Sequence, residues 1–305
     1  MTASNLINKH YIATVGMFDG VHRGHVFMLG QLAEIARREK FEAMAITFAR
    51  HPLEVLAPER APKLITTVEQ RIELLKDSGT IERVEVLDFG RSDFCHTGRE
   101  FLAMLHESYG VDALAMGFNN HIGCDHASAA ALAGACIPVY EISELPADSG
   151  GEINSSAVRK AISTGGVDVA AKILGRFFSL RGTVVAGKQL GRTIGFPTAN
   201  ISTADMAGII MPPCGVYAVD VTLPGGVSKR GMANIGHRPT IDGGLPQQLS
   251  FEVNIFDYNA DLYGKTIDVA FLTRLRDEQY FPTLDDLRRQ LEADRLSAKN
   301  ITSFL

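Results

Sequence analysis

Between residues 11 and 143 short apolar, β-branched runs alternate with segments of helical spacing; past residue 176 the alternation stops. This switch constrains the fold more than any other feature of the chain. YIATVG (11–16), FEAMAITF (41–48), RVEVLDF (83–89), VDALAMGF (111–118) and IPVYEIS (137–143) read as strands. Between them, Arg23 to Lys40, TVEQRIELLKDSG, GREFLAMLHESYG and the Ala-rich HASAAALAGA (126–135) read as helices. Such alternation implies βαβ units and a doubly wound parallel sheet. Sheets of that kind bind ligands at the carboxyl ends of their strands.

The second half reads differently. FFSLRGTVVAG, GVYAVDVTLPGG, KRGMANIG, LSFEVNIFDY and KTIDVAFLT are short strands separated by Gly, Pro and Asn turns, with no helical segment before the C-terminus. That pattern fits an antiparallel barrel or sandwich. PTLDDLRRQLEADRLSAK closes the chain as an amphipathic helix with Thr283 as its N-cap. NSSAVRKAISTGG and VDVAAKILG read as linking helices, so the expected domains are 1–175 and 176–305. A length of 305 residues accommodates both. With 46% apolar and 21% charged residues, each half can bury a core. The net charge of −5 carries no footprint for nucleic acid. No apolar run approaches the ~20 residues of a membrane span, and the N-terminus does not resemble a signal peptide. Cys95, Cys124, Cys136 and Cys214 form no CxxC pair and read as small buried hydrophobes in a reducing compartment. The expectation is a cytoplasmic protein acting on small molecules, with self-association left open.

Four motifs carry chemistry. VGMFDGVHRGH sets His22 and His25 three residues apart where a helix starts, with Gly24 between them. Two imidazoles on one side of a first turn, beside free backbone N–H groups, make an anion cradle. Neither GxxxxGK[ST] nor GxGxxG is present there. The cradle suits attack on an α-phosphate with pyrophosphate leaving, a step needing charge stabilisation and positioning. The alternatives are a capping histidine beside a packed one, and a zinc site without an obvious third ligand. INSSAVR places Ser155 and Ser156 at a helix start and Arg159 one turn on. These groups could grip a triphosphate, or supply only an N-cap and a surface arginine.

GTVVAGKQLGRTIGFPTANI imitates a lysine phosphate loop at Gly182–Lys188, but Gln189 stands where Ser or Thr would hold a metal. It reads instead as a phosphate-binding glycine flap through Gly182, Gly187, Gly191 and Gly195, ending at Pro197. Thr198 and Asn200 then share one face and offer hard oxygen ligands for Mg²⁺; ordinary turn chemistry is the alternative. In SFEVNIFD, Glu252 and Asn254 alternate with Phe251, Val253 and Ile255. Glu252 is the candidate general base, against the plainer reading of a surface glutamate.

The pattern GxFDGxHxGH with a later Ser-Ser…Arg segment resembles the HxGH nucleotidyltransferases. TVGMFDGVHRGH with HPLEVL resembles, more narrowly, the bacterial bifunctional riboflavin kinase/FMN adenylyltransferases, and the order of parts fits over about residues 11 to 295. The resemblance implies that His22 and His25 contact ATP phosphates, with Gly16, Phe18 and Asp19 in the same nucleotide loop. INSSAVR resembles the family's SSTxIR segment and carries Ser155, Ser156 and Arg159 into it, with Asn154 and Ser156 standing where Ser and Thr are usual. GFNNHIGCD departs from the family's GxDFxFG pattern; Asn119 keeps hydrogen-bonding capacity there without charge. GRxxGxPTAN, GVYAV, LxFEVxIFDY, DLYG and LRDExxF together resemble the riboflavin kinase module. That likeness implies a six-stranded barrel, Thr198 and Asn200 at the metal and ATP phosphates, Glu252 as base toward the ribityl 5′-hydroxyl, and Arg276 and Phe281 near the flavin. The implied enzyme uses Mg²⁺ and ATP to convert riboflavin to FMN, then FMN to FAD and pyrophosphate. A kinase with a degenerate first module, and a non-catalytic flavin-binding regulator, are the open alternatives.

Overall fold

The computed structural model describes residues 9–88, 90, 96–117, 120–143, 145–146, 152–187, 190–237 and 249–302. They fall into two compact units, Met1–Ser155 and Ser156–Leu305.

The first unit is built from β1 (Tyr11–Val15), α1 (Arg23–Glu39), β2 (Glu42–Phe48), α2 (Pro52–Leu56), α3 (Val68–Asp77), β3 (Arg83–Leu87), α4 (Gly98–Tyr109), β4 (Val111–Gly117) and β5 (Val139–Ile142). Its sheet has the order β3-β2-β1-β4-β5 with every pairing parallel. Side chains alternate across a strand, so β1 sends Ile12 to one face and Ala13 to the other. Ile12 joins Leu29, Leu32 and Ile35 of α1 and Leu75 of α3. Ala13 joins Phe101, Leu102 and Leu105 of α4. Both faces are therefore covered, as a parallel sheet requires. The order runs outward from β1 through β2 to β3, then reverses at β4. The loop after β1 lies at that reversal, at the carboxyl edge where ligands of doubly wound sheets bind.

Local signals set the helix ends. Thr67 and Thr97 cap α3 and α4 with reciprocal bonds to Gln70 and Glu100, and Gly110 closes α4 in the left-handed conformation. HASAAALAGA departs from expectation: only a 3₁₀ turn forms, over Ala130–Leu132. Alanines supply propensity but little apolar area, and Leu132 and Ala127 are its only fully buried side chains. The short α2 was not anticipated; His51 and Glu54 form its capping box around Pro52. The expected burial of the cysteines also fails: Cys124 and Cys136 are exposed and Cys214 is half-buried, because all three lie in loops and not on a core face, and Cys95 lies outside the described residues.

α5 (Ser155–Ser163) begins at the division between the units. α6 (Val167–Leu174), β6 (Phe178–Val185), α7 (Leu190–Thr193), β7 (Ala199–Ile201), β8 (Gly215–Thr222), β9 (Ser228–His237), β10 (Leu249–Ile255), β11 (Thr266–Arg276) and α8 (Leu284–Lys299) follow. The six strands close into an antiparallel barrel in the order β10-β7-β6-β11-β8-β9. Phe178, Phe251 and Tyr217 pack around Phe271, at ring separations of 5.8, 5.9 and 5.4 Å. A second cluster joins Ala218, Met232 and Leu272 to Ala298 of α8. α8 thus seals one side of the barrel.

Candidate active sites

In the first unit the chain leaves β1 through Gly16–Val21 and enters α1 at His22. His22 is the helix N-cap: its Nδ1 accepts the backbone N–H of His25 at 3.3 Å. That bond fixes the tautomer, because an accepting Nδ1 carries no proton and leaves the ring N–H on Nε2. The two imidazoles stack, with centroids 3.6 Å apart and planes inclined by 18°. Phe18 meets His25 edge-to-face at 5.3 Å. A side chain at Gly24 would press on the His22 ring, so glycine there keeps the stack and the first helical turn compatible. Asp19 is buried and accepts from the backbone N–H groups of Ile65 and Thr66 at 2.9 and 3.2 Å. Its carboxylate thus anchors the loop; the Ser155 hydroxyl donates to its carbonyl at 2.9 Å.

Gly16, Phe18, Asp19, His22, Gly24, His25 and Ser155 all line one cavity of about 610 Å³. Ser156, exposed, and Arg159, half-buried, follow Ser155 along α5. Asn119 lies outside the described residues. Its neighbour Asn120 lines this cavity and also a more apolar one of about 650 Å³. Val15 and Gly16 belong to both as well; Phe48, Leu56, Phe101, Met116 and Ile122 give the second cavity its apolar wall, with His96 and His121 beside them. No periodicity in the sequence marks this second cavity, because its wall comes from four separate stretches of chain.

In the barrel, register assembles the second site. Glu252 on β10 lies directly opposite Asn200 on β7 and Asn234 on β9. The Thr198 hydroxyl donates to the Glu252 carboxylate at 3.0 Å. Asn254, two residues along the same face, donates its amide to the Pro197 carbonyl at 2.6 Å. The sequence set Asn254 on the polar face of Glu252 without giving it a role, and did not single out Asn234; only strand pairing brings them beside Thr198 and Glu252. Gly187 packs directly on the Asn200 amide, leaving no room for a side chain. Thr198 belongs to two cavities. One, about 440 Å³, is lined by Arg192, Pro197, Tyr258, Asn259, Asp261 and Tyr263 among others. The other, about 370 Å³, holds Glu252, Asn234, Asn254, Gly191, Phe196 and Phe281.

The remaining flap residues separate. Gly182 lies within β6 against Ile201 and Met206, and Gly191 packs on Phe196. Gly195 occupies a left-handed turn. Arg276 lines the smaller barrel cavity, but its guanidinium is engaged by Asp294 of α8, at 2.8 to 3.1 Å, and by the Asp277 carbonyl. It also lies over the Phe281 ring at 5.6 Å. Among the described residues no group of three or more His, Cys, Asp or Glu side chains could hold a metal ion. The hydroxyl and amide oxygens of Thr198 and Asn200, beside the Glu252 carboxylate, are hard donors of the kind Mg²⁺ takes.

Comparison with known proteins divides the chain similarly. The FAD synthetase family model matches residues 4–155 and the riboflavin kinase model residues 174–302. The Escherichia coli K12 protein named bifunctional riboflavin kinase/FMN adenylyltransferase is 36% identical over 293 residues, covering 94% of this chain and 91% of its own. The Bacillus subtilis protein of the same name is 33% identical over 298 residues, covering 94% and 91%. A solved Streptococcus pneumoniae structure named "Macrolide-efflux Protein" matches with a TM-score of 0.86 and 34% identity, covering 96% of this chain and 95% of that one. Among the described residues of the present chain no helix is long and apolar enough to cross a membrane. With both units matched and sequence identity sustained across nearly the whole length, the chain belongs to the bifunctional riboflavin kinase/FMN adenylyltransferase family.

Proposed function

We propose that the barrel transfers the γ-phosphoryl group of ATP to riboflavin, and that the parallel-sheet unit then joins FMN to AMP from a second ATP. The observation that carries this reading is the pairing of two chemically different sites in one chain. One has a carboxylate beside a hydroxyl and an amide; the other has stacked imidazoles at a helix start, and the Asp19 carboxylate of its loop is tied to backbone N–H groups.

In the barrel, Glu252 accepts the proton of the ribityl 5′-hydroxyl as that oxygen attacks the γ-phosphorus and ADP leaves. Thr198 and Asn200 would hold Mg²⁺, which supplies charge neutralisation at the ATP phosphates. The Thr198–Glu252 bond keeps the base beside those ligands before substrate arrives. Arg192 and the Tyr258–Tyr263 segment suit the nucleotide, with Gly187 allowing close approach. The cavity with Phe196 and Phe281 suits the flat flavin ring, and Asn234 and Asn254 suit its hydroxylated chain. Arg276 holds Phe281 there through its cation–π contact.

In the first unit, a phosphate oxygen of FMN attacks the α-phosphorus of ATP in line and pyrophosphate leaves. A phosphate is already ionised, so no protein base is needed. His22, through its Nε2–H, and His25 stabilise charge on the phosphoryl oxygens, with the N-terminus of α1 behind them. Ser155 belongs to the same cavity, and INSSAVR supports Ser156 and Arg159 as further phosphate ligands. The adjoining apolar cavity suits the isoalloxazine ring, and Asn120 stands where the two cavities meet.

The test is to incubate the protein with ATP and Mg²⁺ and either riboflavin or FMN, then separate the flavins. Riboflavin should give FMN then FAD; FMN should give FAD with one pyrophosphate released per FAD. FMN accumulating without FAD would reject the second activity; no turnover of either flavin would reject the enzyme altogether. Omitting Mg²⁺ should abolish phosphorylation.

A further inference from the structure

Among the described residues Arg71 is the largest side chain to be buried completely, at 0% exposure, and it bonds to Met17 in the loop that carries Phe18 and His22. A guanidinium is costly to bury unless it is fully paired, and this one is not. Its Nη1 donates to the Met17 carbonyl at 2.7 Å and to the Thr47 hydroxyl at 3.2 Å. Its Nε and Nη2 have no hydrogen-bond partner among the described residues. Burial pulls the group below its ordinary pKa, and the nearby Asp19 carboxylate opposes that pull. An apolar side chain of similar volume would fill the same space more cheaply. An arrangement this expensive points to a task that packing alone does not perform.

The task is visible in the backbone above it. The loop passes through Phe18 at φ 48° and Val21 at φ 37°, both non-glycine residues in the left-handed region. A β-branched residue is a clear outlier there, and such strain persists only where surrounding contacts over-determine it. Residues 65 to 71 supply those contacts from one short stretch. Ile65 and Thr66 donate to Asp19, the Thr66 hydroxyl accepts from Gly20 at 3.2 Å, and Arg71 grips Met17. Thr47 donates to the same Met17 carbonyl at 3.0 Å. Between the gripped Met17 and the gripped Asp19 sits Phe18, whose ring braces His25. Arg71 is not among the side chains that line the cavity.

We infer that Arg71 is a positioning residue for transfer at the His22–His25 site: by holding the Met17 carbonyl it fixes the strained loop and hence the stacked imidazoles. This rests on the adenylyl-transfer reading of that cavity, so the wild-type rate of FAD formation from FMN is measured first. If the wild-type chain makes no FAD, that reading fails and the inference falls with it; where FAD forms, the variants test the inference alone.

Given wild-type activity, Arg71→Met and Arg71→Lys are compared in the full chain, with riboflavin phosphorylation assayed in the same preparations. Arg71→Met should lower kcat for FAD formation by about 10²-fold, the loss expected when reacting groups are misplaced by an ångström or so. KM for ATP and FMN should change by no more than about threefold, since Arg71 touches neither, and phosphorylation should persist. Arg71→Lys, which can still donate to Met17, should recover at least about tenfold of that loss. Wild-type kcat in Arg71→Met overturns the inference. So does a loss that appears mainly in KM, or one that lysine does not restore. Should Arg71→Met fail to fold, Thr47→Val decides. It removes one donor to Met17; a clear fall in kcat at unchanged KM supports the inference, and wild-type kcat overturns it.

Discussion

At the scale of single residues, the two sites should respond independently to substitution. Glu252→Gln keeps size and hydrogen bonding, including acceptance from Thr198, but cannot take a proton. FMN formation at saturating riboflavin should fall by about 10² to 10⁴, while FAD formation from supplied FMN stays near wild type. Single-turnover assays with flavin binding followed by fluorescence read this directly. His22→Ala and His25→Ala should do the reverse, each costing about 10² to 10³ in adenylyl transfer. His22→Ala also removes the N-cap of α1, so it should lower the stability of the first unit by about 1 kcal/mol where His25→Ala does not. Gly187→Ala should impair the kinase alone, because its methyl group would displace the Asn200 side chain. Normal kinase turnover in that variant would remove Asn200 from the site. HxGH was legible in the chain because its four residues act within one helical turn. The partners of Arg71 and Asn254 were not: their bonds span 54 and 57 residues of sequence.

At the scale of elements, α8 is more than a lid on the barrel's outside. Asp294, 4% exposed, holds Arg276, 14% exposed, by a bidentate pair, and Gln290 donates to the same carboxylate at 2.8 Å. Asp294→Ala leaves a guanidinium uncompensated in a largely buried place, which should destabilise the barrel by about 3 kcal/mol in urea titration. It should also raise KM for riboflavin if the proposed flavin cavity is right, because Arg276 lies over the Phe281 ring. The exposed pair Arg288–Glu292 on the same helix is the contrast, with side chains 61% and 59% exposed. Glu292→Ala should change stability by less than about 0.5 kcal/mol and leave riboflavin binding unaltered. LRDEQYF announced Arg276 as a candidate flavin ligand; the fold gives it an anchoring carboxylate that lies 18 residues onward. Element by element, amphipathic spacing and caps located α1, α3, α4 and α8. The failure came at HASAAALAGA, where propensity without a burying face did not make a helix.

At the scale of the whole molecule, the sequence places the domain boundary at 175/176, the compact units divide at 155/156, and the family matches leave 156–173 unassigned. All of α6 but Leu174 lies in that interval. It packs on β6 and β11, and its Val167, Ala170, Ala171 and Leu174 are buried. A fragment beginning at residue 156 is therefore expected to fold and phosphorylate riboflavin. One beginning at residue 176 would expose the strand surface that α6 covers, and should melt at a lower temperature or aggregate. Equal melting temperatures and equal kinase rates for the two fragments would show that α6 adds nothing to the barrel.

The sequence by itself determined the class of each half, because a period of 3.6 or 2 is a local property that one-sided burial imposes on any chain. It brought the two imidazoles together for the same reason, since HxGH spans one turn. Only the tertiary structure decided which groups those motifs would work beside. Strand register put Glu252 opposite Asn200 and Asn234, and closure of the sheet order put the β1 loop over Thr47 and Arg71. Contacts of that kind depend on how distant segments pack, and a chain read residue by residue contains no periodic trace of them.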